Sequence, residues 1–196
     1  MPKIGMEPVR RSALINATIA EIGQNGSLDV TVSQIARRAG MSSALAHHYF
    51  GSKEQIFLAV IRHILRQFGQ SVAERSSTAM SPRDRIIAII DASFDQEQFD
   101  PNVVAAWLAF YVKAQNSDEV ARLLRVYARR LNSNLVFQLK EIVSDDAACN
   151  IAQGLASMID GFYIRHALQD MAPNRQTTKA LVVDYLDLCL LRHQNN

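Results

Sequence analysis

Thr31-Val32-Ser33-Gln34-Ile35-Ala36-Arg37-Arg38-Ala39-Gly40-Met41-Ser42-Ser43-Ala44-Leu45-Ala46-His47-His48-Tyr49-Phe50-Gly51-Ser52-Lys53 is the stretch that decides the fold. Thr31 and Gln34 have the spacing of a capping box, in which each side chain satisfies a free amide of a helix's first turn. Val32, Ile35, Ala36 and Ala39 then recur at i, i+3, i+4 and i+7, the apolar face of a short helix. Gly40 stands where that helix must stop and the backbone turn left-handed. Ser42 supplies a cap for a second helix, whose main inward side chain is expected to be Leu45. Two short capped helices joined by a glycine turn make a helix-turn-helix. Packed helices of any all-helical domain could read this way. However, the second helix is short and weakly apolar, and its outer side offers Ser43, His47, His48 and Tyr49. Those groups hydrogen-bond phosphates and base edges, so the expected partner is double-stranded DNA.

Working outward, the 196 residues suffice for a real core and for one domain or two small ones. The chain is 48% hydrophobic and 20% charged with few Gly or Pro, the composition of a folded helical protein. No apolar run approaches the ~20 residues that cross a bilayer, and the N-terminus lacks a signal peptide's apolar core. A soluble, cytoplasmic protein with no membrane partner is expected. Cys149 and Cys189 lie in apolar helical stretches and read as buried thiols, not a disulfide. The net charge of +2 is unevenly spread. Residues 1–66, from Lys3 and Arg10 to Arg66, hold eight Lys or Arg against four acids, and the remainder is slightly acidic. A basic end on an acidic body suits phosphate attraction at that end.

Helical periodicity runs almost throughout, with no strand alternation, internal repeat or low-complexity tract. A first helix spans about Glu7 to Asn25 on Leu14, Ile15, Ile19 and Ile22. Ser52 and Gln55 open a connector helix, about 53–75, with a stripe of Ile56, Phe57, Val60, Ile61, Ile64, Leu65 and Phe68. Ser81-Pro82 and Asp100-Pro101 start two more, since Pro at the first helical position forfeits no hydrogen bond. Helices from about Ser117 to Val143, Asp146 to Leu168 and Arg175 to Arg192 complete the chain, the last two parted by a break at 171–174. The expected fold is all-α, about nine helices: a DNA-binding domain at 1–53 and a ligand-binding and dimerisation domain at 54–196.

A recognition helix puts its N-terminal residues into the major groove while its neighbours hold the backbone. Ser42, Ser43, Ala44 and His48 are therefore expected at base edges, with His47 on the same exposed side. Thr31, Tyr49 and Lys53 are expected on phosphates, joined by the basic residues Arg10 and Arg11 of the first helix. Arg37 and Arg38 could face either way. With Ile35-Ala36-Arg37-Arg38-Ala39-Gly40-Met41-Ser42, His48-Tyr49-Phe50 and Lys53 in place, the first ~65 residues resemble the DNA-binding domain of TetR-family transcriptional repressors. The sequence departs from the pattern at Ala44, often Gly in the family, and at His47, often aromatic. The opening Met1–Arg11, Ala106-Trp107-Leu108-Ala109-Phe110 and Ile159-Asp160-Gly161-Phe162-Tyr163-Ile164-Arg165 narrow the likeness. They are similar to choline-responsive members that control the genes converting choline to glycine betaine. That resemblance implies a homodimer on a palindromic operator, with choline or a related quaternary ammonium as effector.

A quaternary ammonium has no hydrogen to donate and is held by aromatic faces, usually beside a carboxylate. Trp107, Phe110 and Tyr111 share one helix face, Phe162 and Tyr163 adjoin Asp160, and Phe94 lies between Asp91 and Asp95. Aromatics at helical spacing also fill cores, and Asp160 reads equally as a counter-ion or as the partner of Arg165 or His166. A repressor sensing another cationic or lipophilic compound is the alternative. Gly154, Ser157 and Gly161, with the stripe Leu181, Val182, Tyr185, Leu188 and Cys189, offer a dimer surface. No nucleophile elbow, phosphate loop or Cys/His metal spacing appears, and adjacent His47 and His48 diverge on a helix. Neither catalysis, nor a metal, nor a cofactor is expected.

Overall fold

The structure is a computed structural model that describes residues 6–168 and 174–194. Among the described residues the chain forms nine α-helices and no strand. Residues 171–173 of the expected break, and Met1–Gly5 of the opening segment, lie outside the described residues. The helices divide between two compact units, residues 1–65 with 101–123 and residues 66–100 with 124–196. The division runs through two helices and groups residues 101–123 with the DNA-reading segment, whereas the sequence suggested one boundary near residue 53.

The first unit contains α1 (Met6–Asn25), α2 (Val32–Arg38), α3 (Ser43–Phe50), the start of α4 (Lys53–Ser76), α6 (Pro101–Ala114) and the start of α7 (Asp118–Leu139). Leu14, Ile22, Val30, Ile35, Ala46, Ile56 and Ile61 form its core. The expected box is present on α2, where Thr31 Oγ1 accepts from the Gln34 amide and Gln34 Oε1 from the Thr31 amide. On α3 the inward residues are Ala46 and Phe50, and Leu45 is only half-buried. Ser42 caps at Leu45, so the buried face starts one residue later and repeats at i+4, where Phe50 supplies the bulk. Gly40 adopts φ +67°, the left-handed stop expected of it, and Gly26, at φ +64°, ends α1 in the same way. Helices α1 and α6 cross closely at Gly23: a Cβ there would stand 2.6 Å from Asn102 Cβ and closer still to its amide oxygen.

The second unit contains the rest of α4 and α7 with α5 (Pro82–Ser93), α8 (Asp145–Leu168) and α9 (Arg175–Gln194). Ser81 and Asp84 make a second capping box, and Asn174 Oδ1 accepts from the Thr177 amide to start α9. Ile86, Ile89 and Ile90 are buried on α5, and Ile87 is half-buried. The apolar surface of α9 is split: Val182, Leu186 and Leu190 point inward, while Leu181, Leu188 and Leu191 are exposed. Gly154 lets α8 approach α9, because a Cβ would meet the Tyr185 ring at 2.7 Å from Cζ. Burial, with the Cys189 thiol beside it, pushes the Tyr185 hydroxyl above its ordinary range. The cysteine expectation is corrected: Cys149 is exposed and Cys189 half-buried. Cys149 follows Ala147 and Ala148, which take the inward face of α8 and leave the thiol on the other side. Arg83 donates two bonds to Asp187, at 2.9 and 2.7 Å, a forked pair joining α5 to α9.

Candidate DNA-reading and effector sites

Helix α3 is eight residues long, and each of its ends is fastened by specific bonds. At the start, Ser42 Oγ accepts from the Leu45 amide, and the Ser43 hydroxyl donates to Ser33 on α2. At the end, the Gly51 amide donates to the His47 carbonyl at 2.7 Å, and the Ser52 amide reaches back to the Phe50 carbonyl at 3.0 Å. Gly51 has φ +80° and ψ −59°, so Phe50-Gly51-Ser52 is a γ-turn of the rare positive-φ form. That turn leads straight into α4, where Ser52 Oγ accepts from the Gln55 amide. In this first turn of α4 its own backbone amide, then the Ser52 hydroxyl, hold the Glu54 carboxyl below its usual range.

Of the expected base-edge residues, Ala44 and His48 are exposed, Ser42 is exposed with its oxygen used as the cap, and Ser43 is half-buried against Ser33. The His47 ring is exposed with Nδ1 3.0 Å from the Gly51 carbonyl. A carbonyl only accepts, so Nδ1 carries the proton, and Nε2 is an acceptor while the ring is neutral. Among the expected phosphate contacts, Tyr49 is half-buried with its ring edge-on to His48 at 5.6 Å. Thr31 donates its hydroxyl to Gln34 Oε1 at 2.8 Å, which leaves its oxygen inside the capping box. Lys53 Nζ lies 5.4 Å from the Phe57 ring centroid, at the rim of a cleft of about 310 Å³ that Lys113 and Glu119 also line. Arg10 is half-buried on α1. Arg11, in contrast, turns toward α3: its Nη1 donates to the Tyr49 carbonyl at 2.5 Å and its guanidinium covers the Phe50 ring at 4.5 Å. Arg37 and Arg38 are both exposed, and Arg38 donates to Glu21 Oε1 at 2.6 Å and to Gln24 on α1.

The expected effector residues fall in both units. In the first, Trp107 and Phe110 are buried, and Trp107 stacks on half-buried Tyr111 with centroids 6.0 Å apart. In the second, Phe94 is the hub of an aromatic cluster, 6.1 Å from both Phe162 and Tyr163 and 5.6 Å from Phe99. The Tyr163 hydroxyl donates to the Ser93 carbonyl at 2.5 Å. Phe99 also packs on His166 at 4.2 Å. Periodicity could not single out Phe99, because it sits in the irregular segment between α5 and α6. Phe68 on α4 pairs edge-on with Tyr127 on α7, centroids 5.4 Å apart. Phe94 also lines a cleft of about 370 Å³ with Asp91, Asp95, Arg75 and Lys179. The carboxylates there are already engaged: Asp91 meets Lys179 at 2.7 Å, and Asp95 accepts from Ser71 at 2.7 Å beside Arg75 at 3.6 Å. Asp95 also accepts from the amides of Glu97 and Gln98, so it shapes the turn after α5. Asp160 is half-buried on α8. No group of three or more metal-ligating side chains occurs among the described residues.

Residues 14–60 match the model of bacterial regulatory proteins of the tetR family, and residues 82–191 match the C-terminal domain of BetI-type transcriptional repressors. The chain belongs to the TetR family. Its curated relatives include the transcriptional regulator BetI of Brucella anthropi, 56% identical over 97% of this chain and 98% of that one. The BetI of Agrobacterium fabrum is 52% identical over 97% of this chain and 92% of that one. Solved structures of the same fold include a regulator from Rhodococcus, with a TM-score of 0.81 at 18% identity over 93% of this chain and 97% of that one. Another, from Saccharomonospora viridis and in complex with choline, has a TM-score of 0.76 at 18% identity, covering 90% and 95%. These TetR-family relatives are transcriptional regulators and not enzymes, and this chain is a transcriptional repressor of that family. No helix among its described residues is long and apolar enough to cross a membrane.

Proposed function

We propose that this repressor is choline-responsive, controls the genes that convert choline to glycine betaine, and binds a palindromic operator as a homodimer. The observation that carries the reading is near-full-length similarity, at 52–56% identity, to regulators named BetI. The site chemistry supports it. Phe94, Phe162 and Tyr163 bring aromatic rings together, each face worth ~0.5–2 kcal/mol to an organic cation, and half-buried Asp160 stands two residues before Phe162 on α8. Trp107, Phe110 and Tyr111 on α6 are a separate candidate aromatic set, within the first unit.

In this reading, Ala44, His48, Ser42 and Ser43 meet base edges, while Lys53, Tyr49, Thr31 and Arg10 meet phosphates, with His47 presenting Nε2 alongside. The exposed Leu181, Leu188 and Leu191 of α9, with Ile164 and Leu168 of α8, are the apolar residues a second copy would cover. Two reading heads one helical turn apart, ~34–36 Å, or a multiple of it, fit a two-fold operator. Helix α4, from Lys53 to Ser76, is one uninterrupted rod led by Lys53. An effector that prefers one placement of that rod weakens operator binding by its differential affinity, and ~1–3 kcal/mol gives a 5- to 150-fold change.

The test uses purified protein on duplex from the promoter of a choline dehydrogenase gene, followed by fluorescence anisotropy as choline is added. Choline should lower operator affinity and quench Trp107, while its uncharged carbon isostere 3,3-dimethylbutanol should do neither. Unchanged operator affinity at saturating choline removes choline from the reading. A protein that stays monomeric on the duplex removes the palindrome.

A further inference from the structure

We infer that Arg11 is a positioning residue that sets the angle of the recognition helix α3, and not a phosphate contact. The inference rests on the DNA-binding reading above. The guanidinium of Arg11, with its side chain 40% exposed, makes three contacts, two of them through the same nitrogen. Nη1 donates to the Tyr49 carbonyl at 2.5 Å, the plane covers the Phe50 ring at 4.5 Å, and Glu7 Oε1 lies 3.4 Å away. The Tyr49 carbonyl is among the last of α3, where backbone oxygens have no partner within the helix and the macrodipole leaves partial negative charge. A planar cation is the complement to that end, and Arg supplies both the hydrogen bond and the stacking face. Arg11 and Tyr49 are 38 residues apart, so the bond ties α1 to α3 across the unit's interior fold.

A second fastener has the same design. Arg38 at the end of α2 donates to Glu21 and Gln24 on α1. Helix α1 thus holds each arm of the helix-turn-helix by one guanidinium clamp, Arg11 for α3 and Arg38 for α2. A phosphate approaching Nη1 of Arg11 would compete with the Tyr49 carbonyl and would face the Glu7 carboxylate, a like charge. Arg10, one position earlier, carries no such anchor among the described residues, and Lys53 leads α4; these cations are free to serve the phosphates.

The two roles predict opposite behaviour. Neutralising a phosphate contact lowers the slope of log affinity against log salt by about 0.9 per contact, on any sequence, and a lysine restores it. Loss of a positioning bond leaves that slope alone and costs operator affinity more than non-specific affinity. The experiment prepares full-length R11Q and R11K and measures binding across a salt series. One duplex is selected by the wild type from a random library, and the other is a scrambled duplex of equal composition. Active fractions are fixed by stoichiometric titration, so partial unfolding does not enter the ratio. Both variants should lose about ten-fold or more in the ratio of selected to scrambled affinity, at wild-type salt slope. A lowered slope in R11Q that R11K restores, or a wild-type ratio in either variant, overturns the inference. A wild type that selects no duplex at all overturns the DNA-binding reading itself, a separate outcome.

Discussion

Replacing Gly23 with alanine sets two effects of known size against each other. Gly23 lies inside α1, and alanine in a helix interior is worth ~0.5–1 kcal/mol over glycine. Against this, the new methyl would stand 2.6 Å from Asn102 Cβ on α6, a contact that side-chain rotation cannot relieve. Overpacking of that kind costs ~1–3 kcal/mol, because helices must shift. The overlap wins, and Gly23→Ala should be destabilised by about 1–2 kcal/mol, a melting point lower by roughly 2–8 °C for a chain of this length. Gly69→Ala is the control. It is exposed on α4, a Cβ there meets nothing within 4 Å, and the same change should stabilise by ~0.5–1 kcal/mol. Urea unfolding followed by circular dichroism reads both, and Trp107 fluorescence reports the α6 side of the crossing. Gly23→Ala with Asn102→Gly should recover most of the loss. A single variant as stable as the wild type would refute the close crossing of α1 and α6.

Gly51→Ala should cost ~1–3 kcal/mol although space beside it is open, because φ of +80° is closed to a side chain; equilibrium unfolding checks it, and operator affinity should fall with it. Ser81→Ala should lose ~1 kcal/mol at neutral pH through the missing cap of α5. The Ser81 hydroxyl, then the Ser81 and Met80 amides, hold the Asp84 carboxyl below its ordinary value. A depressed carboxyl stabilises above its unfolded pKa and loses that contribution as pH falls through the folded one. The gap between wild type and Ser81→Ala should therefore narrow as acid is added through the carboxylate range, seen in melts across pH. Lys53→Gln should lower the salt slope of operator binding by about 0.9 per subunit, unlike Arg11→Gln.

What the sequence made legible was local. The Thr31–Gln34 box, the Ser42 cap, the left-handed stops at Gly26 and Gly40 and the Pro82 start each depend on residues within four positions, and all are present. Periodicity likewise found every helix. What it missed was set by distant partners. The Arg11–Tyr49 bond spans 38 residues, and no spacing rule could pair the two. The narrow contact at Gly23 exists only because α6 arrives there. The thiol of Cys149 looked buried because its helix is apolar, yet the alanines before it take the inner face. Of the expected effector residues, Phe94, Phe162 and Tyr163 meet in one cluster that Phe99 and His166 join, a meeting of distant helices that no spacing rule reveals, and Asp95 is tied to its own turn.

The grip of Arg11 on a main-chain oxygen has a bearing on how such repressors acquire new targets. A carbonyl is the same whatever residue carries it, so the clamp tolerates exchange of the outward-facing positions Ala44 and His48. Changes at exposed sites of this kind usually alter stability by no more than ~0.5 kcal/mol. On the proposed reading of Ala44 and His48, promoter preference can drift, or be rewritten by an engineer, one letter at a time while the Arg11 bond is kept.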